Sequence, residues 1–144
     1  MAKFQYYDRV GGGNAPMQIV ELPIADSQTL LVGDLVILSS NKVAIAGAST
    51  SSVLGLAAEA ITTGAAAGGP LYKIAIIDTD MRFIATADAD ASSIILGAKV
   101  IDINATTQTV DVADVTNGCI FIWKTLNSAG TSVLISFSST YYGA

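Results

Sequence analysis

Histidine is absent from this chain, and cysteine occurs once. Without an imidazole, Ser-His-Asp and Cys-His catalytic arrangements and every histidine metal site are excluded. A lone cysteine forms no internal disulfide, and Cys119, within the apolar stretch CIFIW, reads as a small core residue. Charge is scarce as well. Asp, Glu, Lys and Arg make up 13% of the residues, about half of the roughly 25% usual in soluble domains. The balance is acidic, with a net charge of −5, and offers no basic stripe for direct contact with nucleic acid or an anionic membrane.

Long apolar runs are missing too, although mean hydropathy is +0.56. A membrane-spanning helix needs about 20 mainly apolar residues. The charge-free run from Val43 to Ala58 is broken by AGASTSS, and the one after Thr125 is rich in Ser, Thr, Asn and Gly. No basic segment precedes an apolar one at the start of the chain, so a cleaved leader is not expected. The apolar excess therefore calls for a protein neighbour, because exposed apolar area beyond a few hundred Å² marks interaction sites. At 144 residues, the chain is the size of one domain, or of a barrel with a smaller β subdomain.

What is present has a period of two. In QTVDVAD, Val110 and Val112 share one face; in SVLISFSS, Val133, Ile135 and Phe137 do the same. DLVIL, KIAIID and CIFIWK are apolar on both faces, as for strands buried between layers. SSNK, TNG and NSAGT supply turns at short, regular intervals. The pattern predicts an all-β fold, a compact barrel or sandwich of short strands over residues 15–144. LGLAAEAI reads as a strand running into a loop, whereas DADASSIILG is open to a helical turn capped by aspartate. Residues 1–14 read as an extended N-terminal arm hinged at Gly11–Gly13, or alternatively as an edge strand, KFQYYDRV, paired within the same barrel.

Reactive chemistry is thin. Asp78 with Asp80 and Asp88 with Asp90 have a spacing compatible with calcium, but each pair reads as a turn with solvated carboxylates. Asp34 reads as shaping a turn, and the glycine run matches no phosphate-binding fingerprint. No catalytic residue, cofactor or metal is expected, and the chain reads as a non-enzyme. Trp123 is expected in the core. The expected partner contacts are Phe4, Tyr6, Tyr7 and Arg9 of the arm, with Tyr141 and Tyr142 near the other terminus.

The succession VGDLVIL, KVAIAG, VLGLAAEAI with a glycine-rich loop, and PLYKIAIID resembles the small decoration, or cement, proteins of tailed-phage heads. RFIATADADASSIILGAKVIDI, TQTVDVAD, CIFIWK and SVLISF continue the likeness, which covers roughly residues 15 to 138. By that resemblance, Gly33 and Asp34 form the turn into the first barrel strand, and Leu54, Gly55 and Ala57 lie on a strand near a subunit contact. The resemblance implies a homotrimer made in the host cytoplasm that binds the outer capsid surface of the virion. Its partners would be the major capsid protein and itself, with no direct nucleic acid and no membrane. A tail-tube or fibre component, or a carbohydrate-binding barrel, shares the same composition.

Overall fold

The computed structural model describes residues 4–13, 15–47, 52–66, 68–94, 102–104, 107–115 and 118–141. Within them the chain is all-β. Its strands are β1 (Phe4–Arg9), β2 (Ile19–Pro23), β3 (Thr29–Leu30), β4 (Leu35–Ser39), β5 (Lys42–Ile45), β6 (Gly55–Ala57) and β7 (Ile61–Thr62). They continue with β8 (Leu71–Ile76), β9 (Met81–Thr86), β10 (Asp102–Asn104), β11 (Thr109–Asp111), β12 (Ile120–Thr125) and β13 (Ser132–Phe137). LGLAAEAI does contain a strand, β6, and DADASSIILG contributes one 3₁₀ turn, Ser92–Ile94.

A five-stranded antiparallel sheet runs in the order β2-β8-β6-β4-β5. Its outer strands meet: Ile24 bridges Val43, and the Ala25 N–H donates to the Val43 carbonyl at 2.9 Å. The sheet thus closes into a barrel. Alternation sends Val20, Leu22 and Ile24, Val36 and Leu38, Val43 and Ile45, and Tyr72, Ile74 and Ile76 into one interior cluster. The opposite faces of the same strands carry Leu35, Ala46, Leu56, Ala75 and Ile77, which pack with the second sheet. Gly55 permits the tight β6–β8 approach, since a Cβ there would fall 2.2 Å from the Ala75 carbonyl oxygen.

The second sheet, β1-β9-β13-β12, lays its inner face over the barrel. The Phe83 and Phe137 ring centroids lie 5.6 Å apart, with Phe4 6.0 Å from Phe137 and Tyr6 5.7 Å from Phe83. The N-terminal segment is therefore not an arm over Phe4–Arg9. It is the edge strand of this sheet, paired antiparallel with β9, because burying Phe4 and Tyr6 in the chain's own core satisfies the apolar anchors that an arm would leave in water. Cys119 is buried, as its neighbours predict. Trp123 is not in the core: β12 turns Ile120 and Ile122 inward, so Phe121 and Trp123 face outward and half-buried.

The side chain of Gln108 ties the β10–β11 ribbon to the barrel. Buried Gln108 accepts the Leu35 N–H through Oε1 at 2.8 Å and donates Nε2 to the Ala46 carbonyl at 3.1 Å. Gln28 works similarly at the β5 edge, accepting the Ile45 N–H at 2.9 Å. Both amides complete hydrogen bonds that strand pairing leaves open.

Two substitutions probe this frame by urea unfolding. Gly55→Ala is expected to lose about 3 kcal/mol, because the new methyl meets backbone rather than a movable side chain. Gln108→Leu is expected to lose about 3 kcal/mol, through the buried Leu35 N–H and Ala46 carbonyl that it strands; a loss below about 1 kcal/mol would remove the glutamine from this role.

Candidate interaction surface

The outer face of the four-stranded sheet begins with two β-bulges. On β1 the register shifts between Tyr6 and Asp8, and on β12 between Ile122 and Lys124. The first bulge sets Asp8 across from Arg82, which a continuous pleat would place opposite Tyr7. The Arg82 guanidinium then grips Asp8 with both arms, Nε to Oδ1 at 2.7 Å and a terminal nitrogen to Oδ2 at 2.5 Å. Its Cζ stands 5.3 Å from the centre of the Trp123 ring, and Trp123 Nε1 donates to Ser136 Oγ at 3.0 Å. Phe121 meets Trp123 edge-on at 5.3 Å. The row Asp8–Arg82–Trp123–Phe121 crosses the whole sheet, with Leu134 and Ser136 on the same face of β13. Both of these are buried despite lying on the outer face.

The expected contact residues part company. Phe4 is 1% exposed and fills the core. Tyr6 is half-buried and donates its hydroxyl to the Ala15 carbonyl at 2.7 Å. Arg9 is held by Asp80 at 2.8 Å and Asp78 at 3.6 Å, and the hydrogen bond to Asp80 raises its pKa. Tyr7 and Tyr141 are exposed, on β1 and after β13 respectively. The Tyr141 hydroxyl donates to the Leu38 carbonyl at 3.3 Å, which fixes the ring to the barrel. Tyr142 lies outside the described residues.

The paired aspartates shape loops. Asp78 and Asp80 hold Arg9. Asp88 accepts the Val112 N–H at 3.0 Å. Asp90 accepts the Ser92 hydroxyl at 2.5 Å and its N–H at 2.9 Å, contacts that lower its pKa. Among the described residues, no group of three or more His, Cys, Asp or Glu is arranged to hold a metal ion.

Sequence reasoning placed a turn at Gly33–Asp34 but missed the two exposed aliphatic residues that lead into it. Leu31 and Val32 are 52% and 54% exposed, yet the backbone beneath them is fixed. The Leu31 N–H donates to buried Asp34 Oδ2 at 2.9 Å, the Asp34 N–H returns to the Leu31 carbonyl at 3.0 Å, and the Gly33 N–H reaches Ala57 at 2.9 Å. Gly33 takes φ 89°, which a residue with Cβ avoids. Gly33 and Asp34 thus do shape a turn, into β4. Leu54, Gly55 and Ala57 lie in the middle of the barrel sheet, buried between β4 and β8. Leu71, 63% exposed, starts β8 beside Pro23. Adjacent exposed aliphatics in a turn are the legible signal in hindsight, since the Gly-Asp pair marks where the chain must bend.

The hydrogen bonds from Arg82 hold the Asp8 carboxyl below its ordinary 3.8. A depressed carboxylate contributes stability above its unfolded value and loses it as pH falls through the folded one. Asp8→Asn is therefore expected to cost on the order of 1 kcal/mol at pH 7, and the gap between variant and parent should close below about pH 4. Paired melts at pH 7 and pH 3 check this; an equal gap at both would assign the loss to packing. No protein-family model matches the chain, and no curated protein matches it either.

Proposed function

We propose that this protein is a capsid decoration protein, which binds the outer surface of a phage head and bridges major-capsid subunits as a homotrimer. The observation that carries the reading is the turn Leu31–Val32: two large aliphatic side chains held in water by a rigid, hydrogen-bonded loop. Among the described residues, neither side chain belongs to a core cluster. Preorganised apolar groups lose little entropy on docking, which is how binding hot spots gain affinity. Leu71 and Ile19, also more than half exposed, extend the apolar supply along β8 and β2. The charge-poor composition and the order of motifs in the sequence point the same way. A carbohydrate-binding barrel is favoured less, because Arg82 and Phe121 occupy the surroundings of the Trp123 ring on which a sugar would stack.

Heads of tailed phages stripped of decoration protein provide the test. The purified protein is expected to pellet with matching heads and raise their resistance to heat, with trimeric density on the shell by cryo-electron microscopy. Val32→Asp should weaken that binding at least tenfold while leaving the melting temperature unchanged. Monomeric behaviour at tens of micromolar in sedimentation equilibrium, with no binding to any head tried, would overturn the proposal.

A further inference from the structure

We propose that β1 exchanges between copies of this chain, so that Phe4 and Tyr6 of one copy complete the core of the next. Three features of the fold lead there. First, β1 is the outermost strand of its sheet and, among the described residues, pairs only with β9. That partner is remote in sequence, with Asp8 and Arg82 separated by 74 positions, and a second copy offers the same partner. β12, at the other edge, is joined to β13 through the tight 126–131 turn and cannot leave without it.

Second, the contacts of β1 divide unevenly between those an exchange would break and those it would restore. Bonds internal to the link are few: the Arg9 N–H to Gly13, the Gly12 N–H to Arg9, and the Tyr6 hydroxyl to Ala15. The last of these is exposed to water, which replaces it readily. The other described contacts of β1 re-form on β9, β13 and the 78–80 loop of another copy. That includes the pairing from Phe4 opposite Ala85 to Arg9 opposite Met81, the Val10 N–H on the Asp80 carbonyl, the three ion pairs, and the stacking of Phe4 and Tyr6.

Third, the link is built to open. A Cβ placed on Gly11, Gly12 or Gly13 would meet nothing within 4 Å, so the turn has open space beside it and is held by two backbone hydrogen bonds, and Gly12 and Gly13 take φ of 94° and 82°. Glycine visits these and extended conformations alike. Met17 packs against the core and the Gln18 carbonyl accepts the Ile76 N–H, so the free link is 10–16; extended, it reaches up to about 23 Å, which can deliver β1 to an adjacent copy. Exchange of an identical element is a low-cost route to an oligomer because it needs no new interface chemistry.

The inference stands apart from the decoration reading, since no capsid takes part in its test. Gln5 and Ile84 are register partners on the solvent face, Gln5 exposed and Ile84 half-exposed, so cysteines there leave the core intact. One chain carries Gln5→Cys and a second, size-tagged chain carries Ile84→Cys. The two are unfolded together in urea, refolded at high concentration, oxidised, and run on a denaturing gel after free thiols are blocked. A disulfide-linked heterodimer is expected, at several times the yield of a control pair of Gln5→Cys with Leu126→Cys. Deleting Gly11–Gly13 in both chains should raise that yield severalfold, because a shortened link cannot fold back. Circular dichroism confirms that each variant is folded. If the single variants give no heterodimer above the control, with or without the deletion, and the double variant Gln5→Cys/Ile84→Cys yields only an intrachain disulfide running as a monomer, β1 belongs to its own chain and the exchange is excluded.

Discussion

The five-stranded sheet is apolar on both faces, and the rest of the fold answers that constraint. A sheet with one wet face needs a single covering layer, but here Val36, Ile74 and Val43 line one side while Leu35, Ala75 and Ile77 line the other. Curling the sheet on itself covers the first side. The second requires another layer, which the four-stranded sheet supplies with Phe83, Phe137, Ile122 and Ile135. Each buried aliphatic contributes about 1.5 to 3 kcal/mol, so neither half can be stripped away without exposing the other.

Closing a barrel of short strands leaves backbone groups at every corner where pairing stops. Gln28 and Gln108 meet that need, each extending an amide from a loop to the point where a neighbouring strand would have donated or accepted. A glutamine amide offers the same donor and acceptor as a peptide group, so it prolongs a ladder without adding a strand. Thr63 performs a lesser version of the task, accepting the Gln28 N–H at 2.9 Å and donating to the Ala25 carbonyl at 2.8 Å. The polar side chains of this protein are thus largely occupied in finishing its backbone. The aspartates do likewise, at Leu31, Val112 and Ser92, and Asp8 and Asp80 serve to fasten β1.

A surface made this way has little charge left to advertise and several large apolar groups to cover. Rigidity distinguishes those groups from incidental exposure. Leu31 and Val32 ride on a turn fixed by the buried carboxylate of Asp34, and Tyr141 is pinned through its hydroxyl, so the surface is presented in one shape. Under the proposed decoration role, that combination would let the surface fit its neighbours. Several of its carboxylates, Asp8, Asp34, Asp80, Asp88 and Asp90, have a local donor that makes their negative charge useful to the fold.

The sequence by itself determined the all-β class, the strands apolar on both faces, the burial of Cys119 and the turn at Gly33–Asp34, because alternation and turn chemistry are local properties written in adjacent residues. Tertiary structure alone decided the rest. FQYYDR carries aromatic anchors whether it forms an arm or an edge strand, and only the presence of β9 with Phe83 and Arg82, more than seventy positions away, selects the strand. CIFIWK is apolar at every position except its lysine, so nothing local says that Trp123 faces outward; the bulge beside it and the Arg82 guanidinium above it do. Gln108 looks like a polar loop residue until the fold sets its amide between Leu35 and Ala46. Long-range pairing chooses among conformations that neighbouring residues leave equally open, and that choice is made by contacts no short stretch contains.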